Sequence, residues 1–518
     1  VKLTSASRFH TRLSTLLRAA LPGLGLCALA WASTATAAGN PALPTASAAT
    51  TATTATAASS VQTSKPVQAS GSASANSGAV ATPPAAPSST AQKLYTAARQ
   101  DLLQIRVLVK SGRTQASVGS GFLIGHSDLV VTNYHVVSQI ALEPKTYVAE
   151  FIDTEQKTGA VELLAVDAIH DLAVVRIKRF GHGVFEVPEH GPQLIQGQYL
   201  YSLGNPLDLG FAISEGTYNG VINRSLHQHL LFTGSINAGM SGGPNITVDG
   251  QVAGVNVAKR RDGELVSFLV PVDFVYQLLQ SVAQSKAPPT DFKKVVGQQL
   301  LNHQRVLADK LQTTPLQFKT LGPYQVPVWE SDQMRCWGRS EAKPDSPFTV
   351  DTVDCNMDSS LYISDQLQTG AVTVRHQMLQ SRQLDALRFS RMVSQSFRNE
   401  AFGGAHDPRM STPQCTQMFV TNQYLPLRAV MCVRAYRQFS GLYDFALLTS
   451  TTNNSLSNLQ SRFDVFGVSY ENGLRITRLL MEALGKNDKT DKNVKSGKIA
   501  PAGTLPAASA SAPNGVQP

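Results

Sequence analysis

The stretch Asn237-Ala238-Gly239-Met240-Ser241-Gly242-Gly243-Pro244 decides how this chain is read. A serine enclosed by glycines marks a tight turn, because glycine accepts the positive-φ backbone that other residues resist. In such a turn successive backbone N–H groups can converge on one point and hold developing negative charge. A plain glycine turn would account for the motif taken alone, so its meaning depends on what else the chain carries.

Two segments upstream supply it. Val131-Thr132-Asn133-Tyr134-His135-Val136-Val137 puts a histidine where a strand gives way to a turn. His170-Asp171-Leu172-Ala173-Val174-Val175-Arg176-Ile177 puts an aspartate at the mouth of an apolar strand, a place where it needs a partner. Base, orienting carboxylate and hydroxyl are the three groups that make a serine nucleophilic at neutral pH. Their chain order here is His, Asp, Ser, which separates this arrangement from the other folds that use the same three groups.

With these motifs quoted, the chain resembles the HtrA/Deg-type branch of trypsin-like serine proteases. Gly119-Ser120-Gly121-Phe122, Leu203-Gly204-Asn205-Pro206, Gly254-Val255-Asn256 and Phe268-Leu269-Val270-Pro271 add to the likeness, which spans about two-fifths of the chain. The resemblance implies a chymotrypsin-like double β-barrel and a serine endopeptidase (a hydrolase) acting on protein or peptide substrates without a cofactor or metal. His135, Asp171 and Ser241 are its implied catalytic residues, and the backbone N–H groups of Gly239 and Ser241 its oxyanion hole. Val266 to Leu269 resembles the strand that pairs with substrate.

Two positions depart from the pattern. Met240 stands where HtrA/Deg relatives carry Asn and digestive enzymes carry an Asp that pairs with a newly cut N-terminus. Methionine makes no such pair, so activation by that clipping is not expected; a distorted turn and a catalytically inactive, protease-like binding or scaffold protein stay open as the alternative. Ser235 stands where trypsin places an acid, which predicts a small or apolar residue before the scissile bond, with Ile236, Val266 and Phe268 as substrate-binding residues.

The surroundings agree with a mainly β chain. Short runs at Gln104 to Val109, Gly121 to Ile124, Leu129 to Thr132, Tyr147 to Ile152, Leu172 to Ile177, Tyr199 to Leu203, Gly220 to Ile222, Val252 to Val257 and Leu265 to Val270 are punctuated by Gly, Asn and Asp, as in barrels or sandwiches. Helix periodicity is scarce until Val275. The protease-like domain is assigned to 91–285. A separate α+β domain of unknown role follows over 291–485, with helices expected at Phe292 to Leu311, Leu384 to Phe397 and Gly473 to Leu484. No PDZ-like segment is legible there.

The start of the chain reads as a signal peptide over 1–38: Lys2, Arg8, Arg12 and Arg18, an apolar run from Ala19 to Trp31, then small residues at Ala35 to Ala38. This predicts a periplasmic or secreted protein, or one tethered to a membrane if that segment stays uncut. Residues 39–90 and 486–518 are Ala/Ser/Thr/Pro-rich and predicted to be a disordered linker and tail. Cys336, Cys355, Cys415 and Cys432 are even in number and absent from the protease-like part, which in an exported protein favours disulfides; neighbour pairing is the simplest of three connectivities. Their spacing does not suggest a metal site. The net charge is +9 but only 16% of residues are charged and the basic ones are scattered, so nucleic acid is not an expected partner; an oligomer remains possible.

Overall fold

The computed structural model describes residues 88–486 apart from 223–225, 260–264, 358–359, 398–401, 403–406 and 423. The expected signal segment and most of both low-complexity flanks lie outside the described residues.

A helix, α1 (Ser89–Ala98), is capped by the Ser88 hydroxyl, which accepts from the Ala91 N–H. The first barrel then closes from six strands: β1 (Leu102–Val109), β2 (Gln115–Leu123), β3 (Leu129–Thr132), β4 (Tyr147–Asp153), β5 (Thr158–Asp167) and β6 (Leu172–Ile177), in the order β1-β2-β3-β6-β5-β4. A helix, α2 (Tyr134–Leu142), lies between β3 and β4. The second barrel closes from β7 (Tyr199–Gly204), β8 (Ala212–Ile222), β9 (His229–Gly234), β10 (Pro244–Thr247), β11 (Val252–Lys259) and β12 (Ser267–Pro271), in the order β10-β11-β12-β9-β8-β7. Closure leaves no edge strand, and the apolar alternate residues of each strand fill the interiors. Helix α3 (Val272–Gln284) follows directly and buries Val272, Val275 and Leu278 against the residues that join the barrels.

The patterning located most of these strands. It missed β5, β9 and β10, whose Gly, His and Pro residues dilute the β signal, and it missed α2. That helix is rich in β-branched residues, and its first-turn capping group is not local: the Asp171 carboxylate, 36 residues further on, accepts from the His135 N–H at 2.8 Å.

Beyond the barrels, α4 (Phe292–Thr313) starts at Asp291, whose carboxylate accepts from the Lys294 N–H. A small sheet pairs β13 (Gln317–Leu321), β14 (Tyr324–Val328) and a short strand at Gly485–Lys486. A seven-stranded antiparallel sheet runs in the order β15 (Met334–Glu341), β16 (Phe348–Met357), β19 (Val372–Ser381), β23 (Ser457–Val468), β22 (Tyr443–Thr451), β21 (Pro426–Ala435), β20 (Gln414–Thr421). Between β16 and β19 a hairpin, β17 (Leu361–Ser364) with β18 (Leu367–Thr369), leaves this sheet. Helix α5 (Ala386–Ser396) and helix α6 (Tyr470–Glu482) complete the α+β part. Disulfides join Cys336 to Cys355 and Cys415 to Cys432, each bridging directly opposed residues of an edge strand and its inner neighbour.

This part has its own core around Trp329, Phe445 and Phe463. It also shares one with the first barrel. Val296 and Leu300 of α4, Leu361, Ile363 and Leu367 of the hairpin, and Tyr436 and Phe439 pack in one cluster with Tyr134, Val136 and Val137 of α2.

Candidate active site

His135 stands in the first turn of α2, and Asp171 sits in the turn that opens β6. His135 Nδ1 lies 2.6 Å from Asp171 Oδ2, and the other carboxylate oxygen takes the His135 backbone N–H. An ionised carboxylate only accepts, so Nδ1 carries the proton and Nε2 faces outward as a base. The Asp171 backbone is held equally firmly: its carbonyl accepts from Asn133 Nδ2 at 2.7 Å and from the Tyr134 N–H at 3.1 Å. These contacts fix Asp171 at φ +56°, a left-handed conformation that Asp tolerates better than most residues. Burial alone would lower the His135 pKa. The charge and hydrogen bond of Asp171, aided by the charge of Asp365, outweigh burial and raise it.

The Ser241 turn belongs to the second barrel. Gly239 has φ +90°, and a Cβ built there would lie 2.3 Å from the Asn205 carbonyl oxygen, so only glycine fits. The Ala238 carbonyl accepts from the Leu207 N–H at 2.7 Å. Across a planar trans peptide the Gly239 N–H therefore points the opposite way. The Met240 carbonyl accepts from the Gly243 N–H at 3.0 Å and from Asn256 Nδ2 at 3.4 Å, which turns the Ser241 N–H in the same manner. The intervening Met240 and Gly242 N–H groups are spent on the Asn237 and Asn256 carbonyls, whereas those of Gly239 and Ser241 have no acceptor among the described residues. Ser120, from β2 of the other barrel, braces the turn: its hydroxyl donates to the Gly239 carbonyl at 2.7 Å and its N–H to the Ser241 carbonyl at 2.7 Å.

Two donors without acceptors beside a hydroxyl are an arrangement that can receive an oxyanion. The Ser241 hydroxyl donates to the Val257 carbonyl of β11 at 3.2 Å, and no hydrogen bond joins it to His135 among the described residues. Contacts between a catalytic hydroxyl and its base often tighten only with substrate.

Residues 119–255 match the trypsin-like peptidase domain family. The chain carries a trypsin-like peptidase domain. Its sequence similarity is to HtrA-type enzymes: the protein named serine protease HTRA2, mitochondrial, of Drosophila pseudoobscura pseudoobscura is 32% identical over 180 residues, covering 33% of this chain and 40% of that one. The protein of the same name in Drosophila erecta is 31% identical over 187 residues, covering 34% and 42%. The chain thus spans about two-fifths of the length of these relatives. Among solved structures, the serine endoprotease from Yersinia pestis aligns at a TM-score of 0.33 and 20% identity, over 39% of this chain and 69% of that one. Deg5 aligns at 0.32 and 22%, over 38% and 94%.

Met240, which departs from the usual pattern, is 2% exposed and packs with Leu200, Tyr218, Phe232, Ile236 and Leu269 inside the second barrel. Its sulfur lies 3.5 Å from the Asn237 N–H. The substitution is absorbed by the core, and the peptidase turn around it keeps its hydrogen bonds. Ile236 belongs to the same buried cluster, so it is chiefly a core residue. Val266 precedes β12, and Phe268 lies opposite Ala258 of β11. The Ser241 hydroxyl is bonded to β11 through Val257, while Val266 to Leu269, expected to pair with substrate, lies at and before β12, which pairs with β11; glycine and asparagine in Gly254-Val255-Asn256 point to β11 without marking Val257.

The motifs did not disclose three further neighbours. Ser120 lies in Gly119-Ser120-Gly121-Phe122, where nothing in the motif signals that it braces the Ser241 turn. Gln299 of α4 brackets the Asp171 turn: its side-chain amide donates to the Val166 carbonyl at 2.8 Å and accepts from the Ala168 N–H at 2.9 Å. Tyr362 of the hairpin sets its ring edge-on to His135, with centroids 5.7 Å apart.

Proposed function

We propose that this chain is an exported serine endopeptidase that hydrolyses peptide bonds of proteins. In this reading His135 takes the Ser241 proton as the hydroxyl attacks the carbonyl carbon, then returns it to the leaving amine. Asp171 holds the imidazole in the required tautomer and stabilises its charged form, and the N–H groups of Gly239 and Ser241 receive the oxyanion. The observation that carries this is the pair of unspent N–H groups at the Ser241 turn, where the Met240 and Gly242 N–H groups are already bonded, together with the imidazole oriented by Asp171. An inactive turn needs no such selective sparing, because buried backbone donors are normally paired.

Ser235 stands in the sequence where trypsin places an acid that attracts Lys or Arg, so a small or apolar residue before the scissile bond is the proposed preference. Envelope protein quality control and regulated cleavage of one target both fit this chemistry. The signal-like N-terminus supports export to the periplasm or beyond it.

A fluorophosphonate probe on the full-length protein tests the reading. Phosphonylation of Ser241 in the wild type, absent in Ser241→Ala and His135→Ala, is the expected result. An unlabelled wild type across pH 5 to 9 would overturn it. Peptide-library cleavage after Arg or Lys would overturn the preference, and N-terminal sequencing of the fractionated protein reads export directly.

A further inference from the structure

The hairpin β17–β18 leaves the C-terminal sheet and ends against α2. Its apolar positions Leu361, Ile363 and Leu367 are buried in the cluster shared with Tyr134, Val136 and Val137. That packing alone would seat the hairpin. The alternate position, Tyr362, is half-buried and does something different: its ring meets both Tyr134, at 6.4 Å and 79°, and His135, at 5.7 Å and 63°. Edge-to-face contacts of this kind are favourable and directional. The Tyr362 hydroxyl donates to the Asp365 carboxylate at 2.7 Å, which holds ring and acid together in the hairpin turn.

The hairpin is itself held at both ends. Arg409 hydrogen-bonds the Ser364 hydroxyl and lies 3.8 Å from Glu143 at the C-terminal end of α2, so one guanidinium ties the hairpin to the helix that carries His135. At the other end the Thr369 hydroxyl meets the Tyr436 hydroxyl at 2.7 Å. Tyr436 in turn donates to Asp444, the carboxylate paired with Arg434 across β21 and β22 at 2.9 Å. The hairpin that carries Tyr362 is therefore tied to β21 and β22 of the seven-stranded sheet at one end and to α2 at the other.

We infer that Tyr362 and Asp365 are positioning residues for the general base, supplied by the C-terminal part: Tyr362 braces the His135 ring against Asp171, and Asp365 sets the negative charge beside it. This rests on the peptidase reading above, because it assigns His135 its role. The charged and titratable groups that face His135 are Asp171 from the β6 turn, Tyr134 from its own helix, and Tyr362 and Asp365 from the hairpin. Arg409 and Glu143 stand behind them, and His229 of the second barrel faces Asp171. Asp365 adds to Asp171 in favouring the imidazolium, so its removal favours the neutral base at lower pH.

The test uses the full-length protein and two independent readouts. One is the pH dependence of fluorophosphonate labelling at Ser241. The other is the pH dependence of diethyl pyrocarbonate acylation at His135, read by mass spectrometry, which needs only a neutral imidazole and no working serine. Asp365→Asn is expected to move the midpoint of both profiles to lower pH. Tyr362→Leu is expected to slow Ser241 labelling about tenfold, as a loosened base should, whereas Tyr362→Phe keeps the ring and the wild-type rate. A purely structural tyrosine would change melting without moving either midpoint. Unshifted midpoints in Asp365→Asn, or a wild-type labelling rate in Tyr362→Leu, would overturn the inference. If Ser241 never labels, the peptidase reading fails while the His135 acylation profile still decides this one; if Tyr362→Leu does not fold, the Asp365→Asn midpoint decides it.

Discussion

The two barrels and the seven-stranded sheet solve the same problem, the unpaired edge of a β-structure, by different means. Each barrel returns its last strand to its first, so hydrogen bonding itself removes the edge. The sheet stays open, and its outer strands β15 and β20 are largely exposed along their length. Each is fastened to its inner neighbour by a disulfide at an opposed pair of residues. No cysteine occurs in the barrels, where none is needed. A closed surface can place side chains from several strands around one point, and the candidate active site draws on both barrels. An open sheet can lend an excursion to a neighbour, which is what the Tyr362 hairpin does. On the proposed reading, chemistry resides with the closed barrels, and an excursion from the interior of the open sheet positions the base.

Experiments can break or sharpen that contrast. The largest effect is expected inside the barrels. Asp171→Asn leaves the geometry but offers His135 the wrong tautomer, and should lower kcat about 10⁴-fold, measured on a cleaved peptide. Gly239→Ala forces a Cβ toward the Asn205 carbonyl and rotates an oxyanion donor. A loss of about 10² to 10³ in kcat with little change in KM is expected. Equal effects from substitutions in the sheet would erase the distinction between the two regions.

Stability experiments address the open edge. Replacing Cys336 and Cys355 by alanine, or Cys415 and Cys432, should cost about 3 kcal/mol for loops of this length. Hydrogen exchange should quicken in β15 and β16, or in β20 and β21, and stay slow in the barrel strands. Unchanged protection would mean that backbone pairing alone holds these edges.

The smallest expected effect per step is the pH dependence. Burial, then the charge of His170, hold His303 at about 4, and burial holds His376 at about 4; burial and the charges of His170 and His303 bring His227 to about 3. All three are neutral in the folded protein and bind protons on unfolding below their ordinary value of 6.5. The folded state is therefore fully favoured above pH 6.5 and loses ground as pH falls toward 4. Each histidine contributes up to about tenfold in the folded-to-unfolded ratio per pH unit. His135, with a raised value, acts in the opposite sense: its contribution is present below pH 6.5 and fades as pH rises through its folded value. Urea midpoints at pH 4.5, 6 and 7.5 should rise in that order, and His376→Gln should flatten the slope by removing one proton uptake.

How much of this was legible beforehand follows from where the constraints lie. Glycine frames and an acid at a strand mouth are local, so the residues proposed for catalysis and most barrel strands could be read from the chain. The amphipathic period of α4 was equally local. The cap of α2 was not, because Asp171 is distant in sequence. Nor was the tyrosine at His135: Leu361-Tyr362-Ile363 reads as any short strand, and nothing in it says that alternate residues face another part of the molecule. Val257 was not legible either, because only the folded barrel brings its carbonyl to the Ser241 hydroxyl.

The cluster that α4 and the hairpin share with α2 has a consequence for how the protein melts. Apolar side chains such as Val296, Ile363 and Val136 cannot be exposed on one side of that contact without being exposed on the other. The described residues all fall in one compact unit, so heat should release them together. Calorimetry should then record one endotherm where the domain count would suggest two, and a gene cut after α3 would sever a cooperative body rather than free a module.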